Sequence, residues 1–189
     1  MELRGPNGSG KSSLLRLVAG LNEPTAGSIS LSGIGDHSIA ESCHYIGHAE
    51  AIKSALTVSQ NLSFWAKFLN DDRVPPTTVI PAQAGIPLGN DRGGHERGHE
   101  AFSLSALRND PARLLSSGQK HRLSLAKLVA VERPLWLLDE PTVGLDAAST
   151  EQLNAVLKNH LSKGGMAIIA THQALGVTAH QQLNLEARS

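Results

Sequence analysis

The run Gly5-Pro6-Asn7-Gly8-Ser9-Gly10-Lys11-Ser12 has the spacing G-x-x-x-x-G-K-S close to the start of the chain. Glycines at those positions let the backbone curl until successive N–H groups point inward, which is the geometry that grips phosphate oxygens. A helix starting near Lys11 adds its positive dipole end. The spacing therefore predicts a phosphate cradle of residues 5–13: Lys11 reaches the β- and γ-phosphates, Ser12 ligates Mg²⁺ and Ser13 continues the binding run. A glycine-rich turn ahead of a helix is the plainer alternative.

A second constellation lies far along the chain. Leu135-Trp136-Leu137-Leu138-Asp139-Glu140-Pro141 puts two carboxylates at the end of an apolar strand. In a parallel sheet ligands bind at that carboxyl edge. Asp139 is placed to hold Mg²⁺ through water, and Glu140 to polarise an attacking water. An Asp-Glu-Pro that merely opens a turn would look the same. Another apolar run, Met166 to Ala170, leads into Thr171-His172, where the histidine could touch a γ-phosphate or serve only as structure. Glu140, His172 and Lys11 are the expected catalytic set, and ATP the expected substrate.

Between these lies Leu115-Ser116-Ser117-Gly118-Gln119, which resembles the signature of the ABC transporter ATP-binding family, with Ser117 in place of the first glycine. The same residues could be no more than a serine helix cap. Phosphate loop, signature, carboxylate pair, Gly144-Leu145-Asp146 and His172 occur in the family's order, and the resemblance covers the chain apart from one insertion. It implies that Ser116, Ser117, Gly118 and Gln119 face ATP held by a second copy in a head-to-tail dimer, with Asp146 in the loop that links the two sites. Within that family the chain is most similar to the ATP-binding subunits of the haem exporters of cytochrome c maturation. The similarity rests on Tyr45-Ile46-Gly47-His48, on Ile52-Lys53, Leu56-Thr57 and Asn61-Leu62, and on Thr171-His172-Gln173-Ala174-Leu175-Gly176. His48 stands where the wider family has a nucleotide-sensing glutamine. The resemblance implies an ATPase at the cytoplasmic face of the inner membrane, working with integral-membrane subunits to export haem.

These residues need a scaffold. Ser12–Gly20 reads as a helix, Ser28–Ser32 and Ser42–Gly47 as strands, and Val58–Leu69 as a helix. Helices follow from about Gly118 to Val131 and from about Ser149 to Leu161, with strands at Leu135–Leu138 and Met166–Ala170. Strands alternating with helices give an α/β fold: a P-loop NTPase with a mostly parallel sheet flanked by helices. The expected organisation is one nucleotide-binding domain over 1–189, with a small helical subdomain at 48–119. That subdomain carries a disordered Pro/Gly-rich insertion, Val74 to Glu100, expected neither to pack a core nor to hold a helix. Within it His95-Glu96-Arg97-Gly98-His99 spells the zinc-protease pattern H-E-x-x-H. The glycines around it argue against the helix that such a site needs, leaving only adventitious metal binding by exposed histidines.

Bulk composition fits this picture. The 189 residues suit one domain, and 17 basic against 17 acidic residues give no electrostatic case for nucleic acid as a partner. The single cysteine, Cys43, excludes an internal disulfide. The apolar runs are too short to span a bilayer, and no signal-peptide core is seen. The family's additional N-terminal strands and adenine-stacking aromatic have no counterpart before Gly5, the first aromatic being Tyr45. The expectation is a natural start further upstream, and weaker nucleotide binding without it. An ABC ATPase of another small transporter, a soluble one acting in translation or DNA repair, and an inactive remnant are the competing readings.

Overall fold

The computed structural model describes residues 1–69, 92–173 and 175–186. Five strands form one sheet: β1 (Glu2–Arg4), β2 (Cys43–Ile46), β3 (Leu135–Asp139), β4 (Met166–Ala170) and β5 (Gln182–Asn184). Their order is β2-β3-β4-β1-β5, and every pairing is parallel. The α/β expectation holds. Parallel neighbours need crossovers, and the chain supplies them with α1 (Lys11–Val18), α2 (Ile39–Ser42), α3 (Val58–Leu69), α4 (Arg92–Ala101), α5 (Ser117–Ala130) and α6 (Ala147–Ser162).

β3 is an interior strand, paired with β2 on one side and β4 on the other, and all five of its residues are buried. Its alternation sorts side chains onto two faces. Leu135 and Leu137 join Leu3, Leu15 and Ala19 on the α1 side. Trp136 and Leu138 join Leu123, Leu128, Leu153 and Leu157 of α5 and α6 on the other. That larger cluster runs on through Val58, Leu62 and Ala66 of α3 and through Phe102 and Leu104, so the helical segment shares its core with the sheet.

Local chemistry sets the element ends. α1 stops where Gly20 takes φ +70; its N–H donates to Leu17 O and that of Leu21 to Arg16 O, a Schellman closure that the glycine permits. α2 is a further helix, opened by a capping box between Ser38 and Glu41; the Ser-x-x-Glu spacing is its visible signal in the sequence.

Three expectations need correction. Ser28–Ser32 is not a strand: it pairs with no described strand, and Ile29 is exposed. Alternation alone cannot make a strand where no ladder partner is at hand. β5 was not expected, because Gln182-Leu183-Asn184 is exposed throughout and shows no apolar pattern; it exists through its pairing with β1.

The third correction concerns Val74 to Glu100. Residues 74–91 lie outside the described residues, but Arg92–Ala101 is helical and packs on α5. A Cβ at Gly98 would sit 3.0 Å from the carbonyl oxygen of Ala126 and 3.3 Å from Leu62 Cδ1. The glycine therefore lets two helices approach closely, and packing outweighs its propensity penalty of about 1 kcal/mol. The helix that H-E-x-x-H requires does form. His99, expected to be exposed, is buried, and Glu96 pairs with Arg108 at 2.9 Å. Among the described residues no group of three or more metal-ligating side chains gathers.

Candidate functional site

Because all strands run the same way, their carboxyl ends open on one edge. Gly5 follows β1, His48 follows β2, Asp139 ends β3 and His172 lies just past β4. The sheet thus brings together residues far apart in sequence.

At the phosphate loop, Gly5, Gly8 and Gly10 have φ of +150, +81 and +94. A Cβ at Gly8 or Gly10 would meet nothing within 4 Å, whereas one at Gly5 would lie 2.4 Å from the carbonyl oxygen of Leu185. The loop rim is therefore open and its base is closed by the segment after β5. Gly10 is the residue before α1, and no side chain caps that helix. The first-turn N–H groups of Lys11, Ser12 and Ser13 have no intrahelical acceptor, which makes an anion the natural partner. Lys11 is buried, and its Nζ donates to Gly5 O at 2.8 Å and Pro6 O at 3.0 Å. An ammonium has three protons, so one remains to meet a phosphate.

Strand alternation puts Asp139 on the same face as Leu135 and Leu137, the face that α1 covers. Its carboxylate is buried, and Oδ2 has no hydrogen-bond partner among the described residues. A buried carboxylate oxygen left so calls for a cation or water, at a penalty of several kcal/mol otherwise. Ser12, half-buried one residue into α1, is the hydroxyl that the loop spacing predicts for the same ion. This donor set fits Mg²⁺: hard oxygens, one carboxylate, and phosphates to complete the shell.

Glu140 departs from the strand. Its φ is +50 while its N–H still donates to Ala170 O at 2.8 Å. The turn aims its carboxylate along the edge, where Oε1 lies 3.5 Å from His172 Nε2 and Oε2 accepts from the His172 N–H at 3.4 Å. His172 Nε2 also lies 3.1 Å from Asn7 Oδ1. Both neighbours are acceptors, so Nε2 carries the proton. One histidine thereby joins the carboxylate turn to the phosphate loop.

The remaining candidates lie apart from this cluster. Ser116 caps α5: its Oγ accepts from the Gln119 N–H at 3.2 Å, and its N–H donates to Gln119 Oε1 at 2.8 Å. Ser117 is exposed and Gly118 half-buried; a Cβ on Gly118 would come 3.2 Å from Gly144 O, so α5 abuts the 144–146 loop of its own chain. Asp146 caps α6, accepting from the Ser149 N–H at 2.7 Å; the Ser149 hydroxyl and then its N–H hold the Asp146 carboxyl below the usual range. His48 is exposed and makes no hydrogen bond among the described residues. His121 stands in no motif of the sequence, yet its Nε2 lies 2.8 Å from Pro141 O. Only its place one turn inside the signature helix could have hinted at it.

A glycine-rich loop with open helix-start amides, a buried carboxylate, and a carboxylate–histidine pair at one edge of a parallel sheet form the arrangement of a P-loop nucleotide-hydrolase fold. The chain belongs to the ABC transporter family, whose profile matches residues 1–143. It is 45% identical over 179 residues to a cytochrome c biogenesis ATP-binding export protein, CcmA, of Bradyrhizobium diazoefficiens, covering 94% of this chain and 80% of that one. The protein of the same description from Nitrobacter winogradskyi is 44% identical, covering 95% and 80%. Among solved structures, a dimeric bacterial ABC transporter cassette superposes with a TM-score of 0.74 at 22% identity, over 98% of this chain and 80% of the other, which speaks for the fold alone.

Proposed function

We propose that this chain binds Mg-ATP in the cradle of residues 5–13, hydrolyses it in a head-to-tail dimer, and so drives a haem export complex of cytochrome c maturation. The observation that carries the catalytic part is the contact set joining Asn7, Glu140 and His172 at the open edge of the sheet.

In this reading the loop amides and Lys11 hold the triphosphate, while Ser12 and Asp139 hold Mg²⁺, the latter through water. When bound, the ion neutralises charge that develops on the phosphates. Glu140, its side chain 15% exposed, accepts a proton from the attacking water. His172, whose Nε2 lies beside Glu140 and Asn7, donates its Nε2–H to the γ-phosphate of bound ATP. His48 senses the nucleotide from the end of β2. Ser116 to Gln119 contact ATP on the partner copy, with Asp146 at the link between sites. Residues 48–119 form the part that meets the membrane subunits, at the cytoplasmic face of the inner membrane.

Among the described residues no helix is long and apolar enough to cross a membrane. Attachment through integral-membrane subunits is therefore part of the proposal. The cargo rests on likeness to relatives described as cytochrome c biogenesis export proteins. Complementation tests it: a strain lacking its own such subunit regains haem-stained c-type cytochromes when given this chain, but not when given Glu140→Gln. Normal ATP turnover without restored cytochromes would refute haem export while leaving the ATPase standing.

A further inference from the structure

Among the described residues, two histidine side chains tie the turn after β3 to the rest of the fold. One is His172, described above. The other is His121, on the first turns of α5, whose Nε2 meets the carbonyl oxygen of Pro141 at 2.8 Å. Pro141 follows Glu140 directly, and a carbonyl only accepts, so Nε2 must be the protonated nitrogen. Neutral and cationic imidazole both satisfy that bond.

The connection is short and stiff. Ser116 closes a full capping box with Gln119, which fixes the first turn of α5. His121 comes five residues after Ser116, about 7.5 Å along the axis at the rise of an α-helix. Beside it, Gly118 approaches Gly144 O so closely that a Cβ would come 3.2 Å away. The helix start therefore presses on both ends of the turn from Glu140 to Gly144. Glu140 itself, with φ +50, has no slack: its N–H is tied to Ala170 O at 2.8 Å.

We propose that His121 is a positioning residue. Its hydrogen bond to Pro141 couples the signature end of α5, which serves ATP held by the partner copy, to the orientation of Glu140, which serves the chain's own ATP. This rests on the ATPase reading above. Truncating the imidazole leaves the Pro141 carbonyl without its donor and lets the Glu140 carboxylate wander from its aim. Ground-state binding depends on other residues and stays as it was.

The experiment compares the full chain with His121→Ala and His121→Gln, whose amide N–H can replace the imidazole donor. Steady-state hydrolysis, ATP affinity by equilibrium titration and thermal melting are measured for all three, with Glu140→Gln as the control. The expected result is a kcat lowered about tenfold in His121→Ala, the scale of one neutral hydrogen bond. Its ATP affinity stays within about twofold, and His121→Gln recovers most of the rate. An undiminished kcat in His121→Ala overturns the proposal. So does a parallel loss of affinity and melting temperature, which marks a packing role, or a failure of His121→Gln to recover any rate. If Glu140→Gln turns over ATP like the parent chain, or the parent turns over none, the ATPase reading itself is what falls, and this coupling with it.

Discussion

Among the described residues Glu140 is one of three non-glycine residues at positive φ, and a side chain in that region costs on the order of 1 kcal/mol. Glu140→Gly relieves the backbone while deleting the carboxylate. The expected outcome is a melting temperature raised by about 2–4 °C together with lost hydrolysis, read by calorimetry and phosphate release. A lowered melting temperature would mean that the Glu140 carboxylate stabilises the turn more than the strain harms it. Lys127 offers a second residue-level case. Burial pushes its ammonium down to about 8, with Glu50 opposing weakly, and its Nζ sits 4.7 Å from the Trp65 ring centre. Between about pH 8 and 10.5 the unfolded chain holds this proton and the folded chain does not, so the group's contribution to stability rises with pH across that window. Lys127→Met is expected to melt higher than the parent at pH 7, with the gap narrowing as pH climbs through 8 to 10. A gap that stays constant would show that the charge is not penalised. At this scale the sequence marks groups whose spacing suits phosphate chemistry and says little about what they touch. Gly5 to Ser12, Asp139-Glu140 and His172 are legible because their spacing is dictated by the chemistry. The contacts His172–Asn7 and His121–Pro141 span 165 and 20 residues, and no local pattern carries them.

Elements were legible where hydrophobic pattern and geometry agree. Leu135 to Leu138 and Met166 to Ala170 are apolar runs bounded by turns, and both are interior strands of the sheet. α4 was hidden because glycine is read as a helix breaker, yet here it is a contact surface. Gly98→Ala tests that: the added methyl improves helix propensity by about 1 kcal/mol but meets Ala126 O at 3.0 Å. Overpacking against a helix backbone typically costs about 1–3 kcal/mol, so a net loss near 1 kcal/mol by denaturant titration is expected. Stabilisation instead would show that α4 and α5 can separate slightly at little expense. β5 was hidden for the opposite reason. An exposed, polar edge strand has no burial pattern to read, and only the hydrogen bonds from β1 define it.

At the scale of the molecule, the signature end of α5 makes no hydrogen bond with the phosphate loop of its own chain among the described residues. Its functional contact is expected from a second copy. Light scattering of Glu140→Gln should therefore show ATP-dependent dimers that disperse when ATP is withdrawn, while Lys11→Ala stays monomeric at any ATP concentration. ATP-independent dimers in both would contradict a nucleotide-sealed interface. The sheet has a further consequence. β3 is covered on both faces and laddered on both sides, by β2 and by β4. Local opening reaches such a segment last, because many contacts must be given up before water gains access. Deuterium uptake at Trp136, Leu137 and Leu138 should then be the slowest in the protein, outlasting that of α3 and α4. The two carboxylates are mounted on the stem that survives longest, so the chain can breathe at its periphery while the reactive end keeps its shape.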